Sequence, residues 1–119
     1  MAINLSTILN TTSPNQLATA WVRFNGYTGS IVNSYNISSI TKNATGDYTI
    51  NFTSAQTDAN YCFVNTIGNY NGTSTNSTLV ALANNSRTNT TALYNIAVTS
   101  ANSGVLTDST YVASVVFGT

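Results

Sequence analysis

Gly46-Asp47-Tyr48-Thr49-Ile50-Asn51-Phe52-Thr53, followed after a short polar break by Asp58-Ala59-Asn60-Tyr61-Cys62-Phe63-Val64, decides the fold class. In the first segment Tyr48, Ile50 and Phe52 fall on one face and Asp47, Thr49, Asn51 and Thr53 on the other, the period of two that a half-buried strand requires. The second continues from Tyr61 to Ile67, where Tyr61, Phe63, Asn65 and Ile67 alternate with Cys62 and Val64. Apolar side chains on both sides predict partial burial of both faces. No window of a dozen residues holds an apolar stripe at three- and four-residue spacing, so the chain reads as all-β.

Upstream, a strand over Leu17 to Asn25 places Trp21 on one face and Val22 with Phe24 on the other, and Asn25-Gly26 ends it as a turn. A second strand over Ile31 to Ile37 leads through Ile40 to Lys42-Asn43-Ala44-Thr45-Gly46, whose glycine suits a left-handed hairpin position. Downstream, Thr78 to Ala83, Ala92 to Thr99 and Thr110 to Phe117 complete seven to eight antiparallel strands. Turns of Gly, Asn and Ser between them match a single β-sandwich with a jelly-roll-like pattern over residues 17–119. Pro14 sets off residues 1–16 as an N-terminal arm. Its apolar residues Ile3, Leu5, Ile8 and Leu9 are expected to dock on a neighbouring subunit or on a larger assembly.

The chain has 119 residues, which suffices for one domain that buries about two thirds of its unfolded surface without disulfides or metals. Lys and Arg number three, Asp and Glu three, and His is absent. Solubility therefore rests on Asn, Thr and Ser. Without a basic patch or a basic amphipathic face, nucleic acid and acidic lipid are not expected partners. The first ten residues lack the basic start and long apolar run of a signal peptide, so synthesis in a cytoplasm is expected. The Asn-x-Ser/Thr triplets, such as those at Asn36 and Asn51, follow from composition, and no glycans are expected. Cys62, the single cysteine, reads as a small core side chain, with an interchain bridge as the alternative.

Four segments carry a resemblance: Ala20-Trp21-Val22-Arg23-Phe24-Asn25-Gly26, the two quoted first, and Tyr111-Val112-Ala113-Ser114-Val115-Val116-Phe117-Gly118. In this order they resemble a β-sandwich module at the C-termini of tailed-bacteriophage tail fibres and related virion surface proteins. The resemblance implies a virion structural protein, a homotrimer held by other fibre, tail or capsid proteins, with a tip that binds the host surface. Loop chemistry, not the resemblance, points to host-surface glycan as the ligand, and the lack of catalytic residues makes the protein non-enzymatic. A repeat or heptad for a fibre shaft is missing, which keeps open a capsid decoration protein or head fibre anchored through its arm, and a fibre adaptor within the tail.

Candidate chemistry is thin for catalysis. General acid–base work calls on His or a tuned carboxylate, and only Asp47, Asp58 and Asp108 are present. Asp47 and Asp58 stand where a carboxylate accepts local backbone N–H groups. No cofactor is expected, and one Cys with three scattered Asp excludes a zinc site within one chain. Asp108 reads as a solvated loop residue, although copies of Asp108 or Asp58 around a trimer axis would suit calcium. Recognition has better material. Tyr70, Asn71 and Thr73 combine an aromatic face with amide and hydroxyl groups, Asn85 and Arg87 supply a possible second wall, and Tyr27 is a third candidate. Trp21 is expected in the core or a subunit interface. Arg23 is expected to pair with an Asp, within the chain or across subunits. Val112, Val115 and Phe117 are expected to form either core or a trimer seam.

Overall fold

The computed structural model describes residues 17–68 and 79–118. Eight strands follow in order: β1 (Ala18–Phe24), β2 (Ile31–Tyr35), β3 (Ile37–Ala44), β4 (Asp47–Phe52), β5 (Cys62–Ile67), β6 (Leu79–Ala83), β7 (Leu93–Ser100) and β8 (Val112–Phe117). They form two four-stranded sheets, ordered β2-β1-β8-β5 and β3-β4-β7-β6. Every pairing is antiparallel. The predicted all-β sandwich is therefore present.

The alternation read in the sequence is what packs the two sheets together. From the first sheet Ala20, Val22, Phe24, Val112 and Val116 point inward, and from the second Tyr48, Ile50, Phe52, Tyr94, Ile96 and Val98 meet them. Each large side chain so buried contributes about 1.5–3 kcal/mol. Aromatic rings fill the middle: Phe52 lies 5.4 Å from both Tyr61 and Tyr94, and Phe63 lies 4.7 Å from Tyr94. Their polar tips are satisfied. The Tyr94 hydroxyl donates to Ser114 Oγ at 2.9 Å, and the Tyr61 hydroxyl to the Leu93 carbonyl at 2.8 Å.

One expected strand becomes two. The stretch Ile31 to Ile37 breaks at Asn36, which takes φ 56° and turns the chain from the first sheet into the second. Asparagine tolerates that left-handed backbone because its side chain finds local partners. Asn36 Nδ2 donates to the carbonyls of Thr19 and Ser54 at 3.2 and 3.1 Å, and its Oδ1 accepts from the Ser54 amide at 2.7 Å. Asn36→Gly keeps the backbone but loses these bonds, and Asn36→Val loses both. Chemical denaturation should place Asn36→Gly about 1–2 kcal/mol and Asn36→Val about 3 kcal/mol below the parent. Equal losses would mean the side-chain bonds contribute nothing.

Several expectations are corrected by the sheet's position. The edge strand β5 buries only one face: Phe63, Asn65 and Ile67 turn inward, while Cys62, Val64 and Thr66 are exposed. Cys62 is thus an exposed thiol and not a core side chain. Of the two places expected for Trp21, the structure excludes the core, since it lies on the outer face of β1. Val112, Val115 and Phe117 do not share a face, because positions 112 and 115 have opposite parity. Val112 is buried, and Val115 and Phe117 face outward. Asn65 Oδ1 is buried without a hydrogen-bond partner among the described residues.

Antiparallel pairing also fixes which connections share an end. The β1–β2 turn, the β3–β4 turn and the β7–β8 connection lie at one end, as does Gly68, whose amide donates to the Tyr111 carbonyl at 2.8 Å. Leu79, opposite Ser100, begins β6 at the same end. Ala18 and Phe117, which are register partners, lie at the other.

Candidate functional site

The end that gathers these turns is closed by a buried carboxylate. Asp108 is only 8% exposed. Its Oδ1 accepts from Lys42 Nζ at 2.6 Å, from the Gly46 amide at 2.8 Å and from the Tyr48 hydroxyl. Lys42 Nζ and the Tyr48 hydroxyl also lie 2.7 and 2.9 Å from the Gly26 carbonyl. The Gly26 amide in turn donates to the Ser109 carbonyl at 2.7 Å. The β1–β2, β3–β4 and β7–β8 connections are thereby tied to one another. Burial alone would raise the Asp108 pKa, but the hydrogen bonds from Lys42, Tyr48 and Gly46 outweigh it and hold the carboxyl below its usual value. Asp108 is therefore a buried structural acid and not a solvated loop residue, which also removes it from any axial calcium site.

Asp47 differs from its reading in another way. It takes side-chain donors, not local backbone amides: Arg87 Nη2 at 2.8 Å, Arg87 Nε at 3.0 Å, Asn84 Nδ2 at 3.1 Å and Asn43 Nδ2 at 3.2 Å. The Arg87 bonds lower its pKa against the opposing effect of burial. Asp47 begins β4 with its side chain on the outer face, where the loop after β6 crosses β7 and brings Arg87 within reach. Asp58 is exposed and accepts from the Asn60 amide at 2.7 Å, the turn expected of it.

The two outer faces have opposite chemistry. On β3, β4 and β7 amides and hydroxyls bond one another: Asn51 Nδ2 reaches Ser39 Oγ and Thr41 Oγ1 at 3.1 Å each, Asn43 Nδ2 reaches Thr49 Oγ1 at 2.9 Å, and Thr49 Oγ1 donates to Asn95 Oδ1 at 2.7 Å. Asn95 is buried there beneath the loop, its Nδ2 donating to the Thr88 carbonyl at 3.1 Å. On the first sheet the register aligns Tyr35, Trp21, Val115 and Val64 in one row across all four strands. Beside that row a groove of about 490 Å³ is lined by Trp21, Arg23, Val32, Asn33, Tyr111 and Val115. Within one chain, among the described residues, Arg23 forms no ion pair with an Asp. Its guanidinium lies 4.3 Å from the centre of the Tyr111 ring.

The sequence candidates scatter accordingly. Tyr27 is exposed in the β1–β2 turn, at the closed end, where its amide donates to Asn25 Oδ1 at 2.9 Å. Asn85 is exposed in the loop after β6, and Arg87 is engaged by Asp47. Tyr70, Asn71 and Thr73, and the arm residues Ile3, Leu5, Ile8 and Leu9, lie outside the described residues. The apolar row escaped the sequence reading, since it depends on which residues of separate strands stand in register. Among the described residues, no three His, Cys, Asp or Glu side chains come together as a metal site. No known protein family, no curated protein and no solved structure matches the chain.

Proposed function

We propose that this protein is a non-enzymatic surface component of a tailed-phage virion, a fibre-tip-like module that binds host-surface glycan. The observation that carries the reading is the polarity of the sandwich. Residues 1–16 join β1 at one end, whereas the turn bearing Tyr27 and both junctions of residues 69–78, at Gly68 and Leu79, lie at the opposite end. Such an arrangement suits attachment at the base and presentation of Tyr27, Tyr70, Asn71 and Thr73 to a ligand. Tyrosine rings stack on sugar faces, and a nearly uncharged surface keeps such binding independent of salt. Several weak contacts gain avidity when copies are held in one particle, as the homotrimer of similar fibre tips would hold them. Asp47 and Asp108 are consumed by internal ion pairs, which argues against their use in catalysis.

The same polarity suits a capsid decoration protein held through Ile3, Leu5, Ile8 and Leu9, and one experiment separates the two. Gold-labelled antibody against the protein, viewed on intact virions by electron microscopy, should mark the distal tail or fibre tips. Label over the head would assign it to decoration, and absence from virions would overturn both. With tip label, Tyr27→Ala and Tyr70→Ala together should reduce adsorption to host cells while leaving the thermal transition unchanged.

A further inference from the structure

We propose that the outer face of the first sheet is a seam between copies of this chain. The row Tyr35, Trp21, Val115 and Val64 runs from one edge strand to the other, and its outer members are the most exposed, Tyr35 at 57% and Val64 at 63%. With Val32 and Tyr111, the exposed parts of these side chains make roughly 500 Å² of surface, at the upper end of what a monomer leaves contiguous. Their rim of Asn33, Arg23 and Thr66 brings the face toward the about 800 Å² that each partner gives to a standard interface.

The chemistry of the face selects its occupant. Arg23 is the one charged side chain on it among the described residues, and it is already stacked on Tyr111, so nothing there calls for an acidic partner. What fits an apolar row spanning four strands is another sheet face of matching twist, packed about 10 Å away as stacked sheets pack. The outer face of the second sheet cannot serve, because its amides and hydroxyls are spent on one another and would be desolvated for no gain. Copies must therefore meet first sheet to first sheet, which closes the assembly and prevents open stacking of unlike faces. The seam joins copies in pairs and does not depend on the three-fold assembly expected of similar fibre tips.

Trp21 makes the test direct, since it is the only tryptophan in the chain and stands in the row. Sedimentation of the purified full chain should give twice the monomer mass, and dilution should move the Trp21 emission to the red as the mass falls. Val64→Glu, on the exposed side of an edge strand, should weaken association at least about tenfold, which corresponds to about 1.4 kcal/mol. Thr41→Glu, on the polar face of the second sheet, should leave the mass unchanged. Circular dichroism should show both variants folded. A monomer at high concentration overturns the seam, and so does a monomer whose Trp21 emits in the blue, which would mean that residues 1–16 cover the face. An unaltered mass in Val64→Glu also overturns it. These results leave virion labelling untouched, so the seam and the proposed function can fail separately.

Discussion

Gly46→Ala should abolish the folded state at ordinary temperature or lower its stability by more than about 3 kcal/mol. Gly46 takes φ 66° in the two-residue turn between Ala44 and Asp47. An L-residue there costs roughly 1–2 kcal/mol before any contact is considered. A Cβ at this position would also lie 2.5 Å from the Val98 carbonyl oxygen and 2.7 Å from the Thr107 amide nitrogen. Both are backbone atoms, joined to each other by the Thr107 N–H donating to the Val98 carbonyl at 2.9 Å, so neither can retreat without breaking the β7–β8 connection. The Gly46 carbonyl accepts from the Val98 amide at 2.8 Å, which prevents the turn from moving as a unit. Thr45→Ala, one residue earlier and exposed, is the control and should change stability by less than about 0.5 kcal/mol. Urea titrations of the two variants give the comparison. Gly46→Ala within about 1 kcal/mol of the parent would show that the end of the sandwich is far more pliable than its hydrogen bonds imply.

Gly46 also marks the limit of what the sequence conveys. Its place in a left-handed turn was legible from Lys42-Asn43-Ala44-Thr45-Gly46, because turn chemistry is local. The strand faces of β1 and β4 were legible for the same reason, since alternation needs only neighbouring residues. The Asp108 cluster was not. Its donors lie at positions 42, 46 and 48, some 60 residues away, and nothing in Thr107-Asp108-Ser109 distinguishes a carboxylate that will be buried from one that will not. Cys62 was misplaced because the sequence of β5 has apolar residues on both faces, and only its position at the edge of the first sheet decides which face has a second sheet above it. Arg87 stood out as a free cation in a polar loop, but the loop's path across β7 delivers it to Asp47. The break at Asn36 was hidden by apolar residues that continue on both sides of it.

Asp108→Ala should cost about 3 kcal/mol, a large share of the roughly 5–15 kcal/mol that holds a domain of this size. Removing the carboxylate leaves the Lys42 ammonium, with its side chain only 26% exposed, and the Tyr48 hydroxyl competing for the single Gly26 carbonyl. The Gly46 amide loses its acceptor in a buried setting. Asp108→Asn retains an oxygen but not the charge and should fall between the variant and the parent. The same acid shapes the dependence on pH. Asp47 and Asp108 have folded-state pKa values below the unfolded value of about 3.9, so each contributes stability that is present above that pH and is lost as pH falls through the folded value. Tyr48, Tyr61 and Tyr94 are shifted the other way, chiefly by burial, with Tyr61 pushed up to about 12. Their contribution is present below the unfolded value of about 10 and is lost as pH rises past it. With no histidine to titrate between these limits, the parent should show a stability plateau from about pH 5 to 9 with a fall on each side. Asp108→Ala should show a lower plateau and a shallower acid limb, because one of the two depressed carboxylates is gone, and an alkaline limb of similar slope. Urea midpoints at pH 3, 7 and 10.5 read all three features. An acid limb as steep in Asp108→Ala as in the parent would mean that the Lys42–Asp108–Tyr48 cluster does not hold the end of the sandwich closed.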